Sequence, residues 1–102
     1  MGQVLEAYRI LDFTHVLSGP IATNFLRLLG ADVIKVEPSV GDTMRNYGSH
    51  QTNDGMGPSF VSINSGKRSI VLDLKSEVHL DVIRRLIARA DVVVENFRPG
   101  VV

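Results

Sequence analysis

The feature that most constrains this chain is an alternation of two periods. Four short runs rich in β-branched residues stand out: YRILDF (Tyr8 to Phe13), DVIKVE (Asp32 to Glu37), SIVLDL (Ser69 to Leu74) and DVVVE (Asp91 to Glu95). Between the first two, Ile21, Ala22, Phe25, Leu26, Leu28 and Leu29 recur at helical spacing. Pro20 suits a first helical turn, and Gly30 is a natural stop. Between the last two, Val78, Val82, Leu86 and Ala90 lie four apart, with Ile83 and Ile87 beside them. Ser76 is the expected N-cap of that helix, with Glu77 near its positive end. Near-continuous apolar strands separated by helices are the grammar of a parallel sheet. The fold class read from this is α/β, a Rossmann-like parallel sheet with helices on both faces, in one domain over residues 1–102.

Ligands of open parallel sheets bind beyond the carboxyl ends of the strands. The segments to watch are therefore 14–19, 38–48, 75–76 and 96–100. Residues 38–58, PSVGDTMRNYGSHQTNDGMGP, carry much of the Gly, Asn and Pro punctuation and read as one long loop of functional type. Phe60 to Asn64 fits either a helical turn or a short strand.

Several chemistries are excluded. The turn after the first strand, THVLSGP, holds one glycine, so the G-x-G-x-x-G dinucleotide fingerprint is missing, as is the P-loop. There is no cysteine, which removes disulfides and thiol nucleophiles. Eleven Lys and Arg balance eleven Asp and Glu, which argues against a nucleic-acid partner. No apolar run approaches the roughly 18 residues of a membrane span, and the amino terminus lacks a secretory pattern, so a cytoplasmic protein without a membrane partner is expected. His15, His50 and His79 have no metal-ligand spacing, and no metal is expected.

Among the candidates, His15 reads as a turn or pocket-wall residue and Ser18 as a helix cap, rather than as a catalytic pair. His79 and the pair Lys67 and Arg68 read as solvated surface. Lys75, past a strand end and near a helix start, could meet a phosphate. Phe97, between Asn96 and Arg98, could plug the core or flank an adenine by stacking. Together these suggest an anionic, nucleotide-bearing ligand. Coenzyme A (CoA) fits, as do other phosphorylated ligands.

Four linked motifs, LDFTHVLSGP, LGADVIKVEP, GKRSIVLDLK and ADVVVENFRPG, lie in the order and spacing of the class III CoA-transferase family, also called CaiB/BaiF, which the chain resembles from about Leu5 to Val102. The resemblance implies the amino-terminal part of a larger CoA-transferase domain. Members move CoA between carboxylic acids through an acyl-aspartate anhydride, and some relatives racemise 2-methylacyl-CoA. Carried over by motif, the CoA contacts are His15, Val16, Leu17 and Ser18, then Leu72, Asp73, Leu74 and Lys75, then Asn96, Phe97 and Arg98. CoA and acyl-CoA would be substrates, with no permanently bound cofactor. The catalytic aspartate would lie beyond position 102, and the full-length family forms interlocked homodimers. The alternatives are a CoA-binding module or inactive remnant without turnover, or a relative of the 2-methylacyl-CoA racemases. Two departures matter. Some transferases carry glutamine where Leu17 stands, and leucine cannot donate that hydrogen bond, which argues against the formyl/oxalate subtype. Pro38 replaces a residue that is often basic.

Overall fold

The computed structural model describes residues 3–46 and 58–97. Strands β1 (Arg9–Asp12), β2 (Asp32–Glu37), β3 (Arg68–Val71) and β4 (Val92–Val94) form one parallel sheet in the order β3-β2-β1-β4. The connections hold helices α1 (Ser18–Leu28), α2 (Pro58–Asn64) and α3 (Glu77–Arg89), with a 3₁₀ turn at Thr43–Asn46. The register runs Arg9↔Asp32 and Ile10↔Val92 across β1, and Ile34↔Arg68 across β2. The chain winds from β1 outward to β3 and then crosses back to place β4 on the other side of β1. That reversal leaves a crevice between the carboxyl ends of β1 and β4, the usual ligand position in such sheets.

The alternation of side chains along each strand divides the interior into two layers. Leu11, Phe13 and Val36 meet Leu72 and Ile83, with Leu80, Val82, Leu86 and Phe97 packed around them, on the α3 side. Ile10, Ala31 and Val33 face the other way, with Leu26 and Val94. Ser76 caps α3 as expected: its Oγ accepts the His79 amide hydrogen at 3.3 Å.

β2 spans its whole apolar run, whereas β1, β3 and β4 are shorter than theirs. β3 ends at Val71 because side chains then take over its hydrogen bonds. The Leu72 N–H still reaches the Glu37 carbonyl at 3.0 Å, but the Asp73 N–H donates to His79 Nδ1 at 2.8 Å and the Lys75 N–H to Asp73 Oδ1 at 2.9 Å. His79 is thus a half-buried turn-former and not a solvated surface residue. β3 and β4 are edge strands and largely exposed, whereas β1 and β2 are buried. Phe60 to Asn64 is helical, within α2.

The second layer changes character toward the carboxyl ends of β1 and β2. Asp12, Lys35, Glu37 and Asp42 are all at most 1% exposed. Each carboxylate has a cation: Lys67 reaches Asp12 at 3.2 Å, Lys35 reaches Asp42 at 3.0 Å, and Arg45 grips Glu37 through Nε at 2.8 Å and Nη2 at 2.7 Å. Lys67 is therefore buried, not solvated, and its ammonium also donates to the Pro20 carbonyl at 3.0 Å and Asn64 Oδ1 at 2.7 Å. Burial lowers the Lys67 pKa, while Asp12 opposes the shift. Burial would raise the Glu37 pKa, but hydrogen bonds from Arg45, Ser69 and the Asp42 amide outweigh it and hold the carboxyl at about 2, against an ordinary 4.5.

Two predictions follow from this charged layer. Lys67→Met leaves the buried Asp12 carboxylate with hydrogen bonds from Thr14 and Thr23 but no cation, and is expected to cost about 3–5 kcal/mol in urea unfolding, with much of the loss recovered when Asp12→Asn is added. A depressed folded-state pKa contributes stability above the unfolded value that is lost on acidification. The Glu37 contribution should therefore hold above about pH 4.5 and fade toward about pH 2. Thermal melts of Glu37→Gln across that range should show a weaker acid dependence than the unaltered protein.

Candidate functional site

The segment between β1 and α1 is built in an unusual way. Almost every backbone polar group from Thr14 to Val16 is held by a side chain. The Thr14 N–H donates to Asp12 Oδ1 at 2.8 Å. The Thr14 carbonyl accepts from Lys35 Nζ at 2.9 Å. The His15 N–H donates to Asn96 Oδ1 at 3.1 Å, and Asn96 Nδ2 returns a bond to the His15 carbonyl at 3.0 Å. The Val16 N–H is shared between the two Asp42 carboxylate oxygens at 3.2 and 3.3 Å. Asn96 thereby ties the loop after β4 to the loop after β1, across the crevice of the switch point.

Val16 has φ of 70°, left-handed backbone in a β-branched residue. Leu17 takes the N-cap position of α1 and offers no side-chain cap, while Ser18 is the first helical residue and exposed. The expectation that Ser18 caps the helix is thus corrected: its backbone is already helical. Gly19 is required here, since a Cβ would lie 2.4 Å from the Thr14 Cβ.

Beside this segment, a cavity of about 260 Å³ gathers His15, Leu72, Asp73, Leu74, Lys75 and Phe97, with Phe13, Val36 and Pro38. Phe97 plugs the core and also reaches the cavity. It packs on the α3-side core, its ring 6.3 Å from Phe13, and it lines the cavity with His15, 5.6 Å ring to ring. Burial lowers the His15 pKa despite the raising influence of Asp42, which favours the neutral imidazole. No hydrogen bond joins it to Ser18 among the described residues, which fits a wall residue. Lys75, exposed at the rim, is the cation of this cavity.

Of the eleven expected contacts, the cavity unites these six. Val16, Leu17 and Ser18 lie on the adjoining loop, with Val16 41% and Leu17 48% exposed. Asn96 acts as the tie between loops, and Arg98 lies outside the described residues. The residues that sequence reading missed are the supports: Lys35, Asp42 and Lys67. One signal existed for Lys35, a lysine inside the apolar run DVIKVE. Asp42 had none, since it stands in a polar loop. No cluster of three metal-ligating side chains occurs, and no helix is long and apolar enough to cross a membrane, among the described residues.

The pattern of CoA-transferase family III matches residues 5–102. A formyl-CoA:oxalate CoA-transferase of Bradyrhizobium sp. (strain ORS 278) is 50% identical over 103 residues, covering 99% of this chain and 24% of that protein. An acetyl-CoA:oxalate CoA-transferase of Acetobacter aceti is 47% identical over 93 residues, covering 90% of this chain and 23% of that protein. Among solved structures, a CAIB/BAIF family protein from Brucella suis superposes with a TM-score of 0.90 and 38% identity, over 98% of this chain and 27% of that one. A hypothetical protein from Mycobacterium tuberculosis does so with a TM-score of 0.84 and 40% identity, over 97% of this chain and 27% of that one. This chain spans about a quarter of the length of the curated relatives it matches. With the motifs, the sheet order and these likenesses in agreement, the chain belongs to CoA-transferase family III.

Proposed function

We propose that this chain is the CoA-binding part of a class III CoA-transferase that moves CoA between carboxylic acids. The observation that carries the reading is the cavity at the strand ends, where Leu72 to Lys75, His15 and Phe97 converge. Its volume of about 260 Å³ suits one subsite of an extended ligand. Leu72 and Phe97 offer apolar walls to an adenine, and Lys75 offers charge to a phosphate. CoA and acyl-CoA are the proposed substrates, and an interlocked homodimer is the proposed state of the longer protein.

The chemistry the family resemblance implies is attack of an aspartate carboxylate on the thioester carbonyl. The C–S bond breaks, CoA leaves as thiolate, and a mixed anhydride remains. Asp12 and Asp42 are fully buried and committed to cations, so neither suits that role. The family resemblance implies that the nucleophile belongs to a later segment of the longer protein. The oxalate names of the relatives pull against Leu17, which has no side-chain donor for the reacting carboxyl, so the acyl group is left at the class of carboxylic acids.

The test is an amide-resolved NMR titration of the protein with CoA. Shifts clustered at Leu72–Lys75 and Asn96–Phe97 are expected. Lys75→Ala should weaken binding about fivefold at low salt, with the difference shrinking as ionic strength rises. A dispersed spectrum indifferent to CoA would sink the proposal.

A further inference from the structure

Val16 poses a problem of cause. A β-branched residue at φ of 70° is strained, and such strain persists only where the surroundings over-determine the backbone. Apolar burial does not explain it. The Val16 and Leu17 side chains are 41% and 48% exposed, so the loop gains little from hiding them. The shape is held from below instead, by groups that are themselves costly to bury.

We infer that Asp42, braced by Lys35, is a positioning residue that locks the Thr14–Leu17 segment in the shape on which CoA is received. Asp42 is 1% exposed and its carboxylate is fully engaged. Oδ2 meets Lys35 Nζ at 3.0 Å, Oδ1 accepts the Met44 N–H at 3.0 Å, and both oxygens face the Val16 N–H. Lys35 completes the lock from the other side, because the same ammonium holds the Thr14 carbonyl at 2.9 Å. One ion pair therefore fixes the peptide groups on both sides of His15. Asn96 fixes His15 itself.

The consequence is a preformed site. With Val16 left-handed, the chain turns abruptly from β1 into α1 within a few residues, and His15 of this turn lines the strand-end cavity. Without the lock, Val16 relaxes to ordinary φ and the ligand must repay that change on binding. The inference rests on the CoA reading of the site, and the experiment separates the two.

CoA affinity is measured for the unaltered protein, Asp42→Asn, Val16→Gly and the double variant, with three-bond couplings reporting φ at residue 16. Asp42→Asn should move Val16 out of the left-handed region and weaken CoA binding about tenfold or more. Val16→Gly removes a side chain from the receiving loop but reaches positive φ without steric cost, so its own affinity is the reference for the double variant. Added to Asp42→Asn, it should recover most of the loss, a rescue that general destabilisation would not give. An Asp42→Asn protein that binds CoA normally, or a loss that glycine does not recover, overturns the inference. Should Asp42→Asn fail to fold, hydrogen exchange in the unaltered protein decides: a Val16 amide protected like a strand amide supports the lock, and one exchanging like an open loop overturns it. Failure of the unaltered protein to bind CoA would overturn the CoA reading, whereas a residue-16 φ unmoved by Asp42→Asn would overturn the lock itself.

Discussion

Three ion pairs under the carboxyl ends of β1 and β2, two of them fully buried and the third with Arg45 partly exposed, are the constraint on which the rest of the structure depends. A buried pair is weak as a source of stability, because desolvation of both charges offsets their attraction. Its value lies in what else the charged atoms hold. Lys67 joins β1, α1 and α2 through Asp12, the Pro20 carbonyl and Asn64. Glu37 collects Arg45, Ser69 and the Asp42 amide, and so sets the chain leaving β2 against β3. Lys35 and Asp42 reach the loop after β1. Apolar side chains could fill the same space, but they could not tell one backbone orientation from another.

The elements were legible where one period dominated. The apolar runs located β1, β2, β3 and β4, and the four-residue spacing from Val78 to Ala90 located α3. What failed was the assignment of charge. Lys67 and Arg68 are neighbours at the start of β3, and residue type alone gives both to solvent. Only Arg68 stays exposed, because side chains alternate across the strand entrance and Lys67 faces Asp12, 55 residues earlier. Pairings this distant are set by register, which local pattern does not encode. His79 was misread for a related reason. Its turn partner Asp73 is six residues away, across the junction of two elements, where neither period applies.

The candidate site was legible in outline and not in mechanism of support. Strand-end logic and the family motifs both pointed to residues 15–18, 72–75 and 96–98, and six of these line one cavity. The groups that shape it lie outside those motif positions, in β2 and in the turn before the 3₁₀ segment. A contact to ligand leaves a signature in residue type, such as an aromatic ring or a cation past a strand end. A contact to backbone can be made by any buried polar side chain with the right reach, so it leaves none.

The sheet order has a temporal side as well. β1 is central, yet one of its two neighbours is β4, and the link between Arg9 and Asp91 spans 82 residues. A chain emerging from the ribosome can pair β1 with β2 early and must then wait for β4, with one edge of its most buried strand uncovered. The same delay applies to Asn96, which closes the His15 peptide only after nearly the whole stretch has been made. Closing so long a loop is slow compared with forming helices. The crevice between β1 and β4 thus closes late, and the β1 edge is the part most exposed to mispairing while the chain is being made.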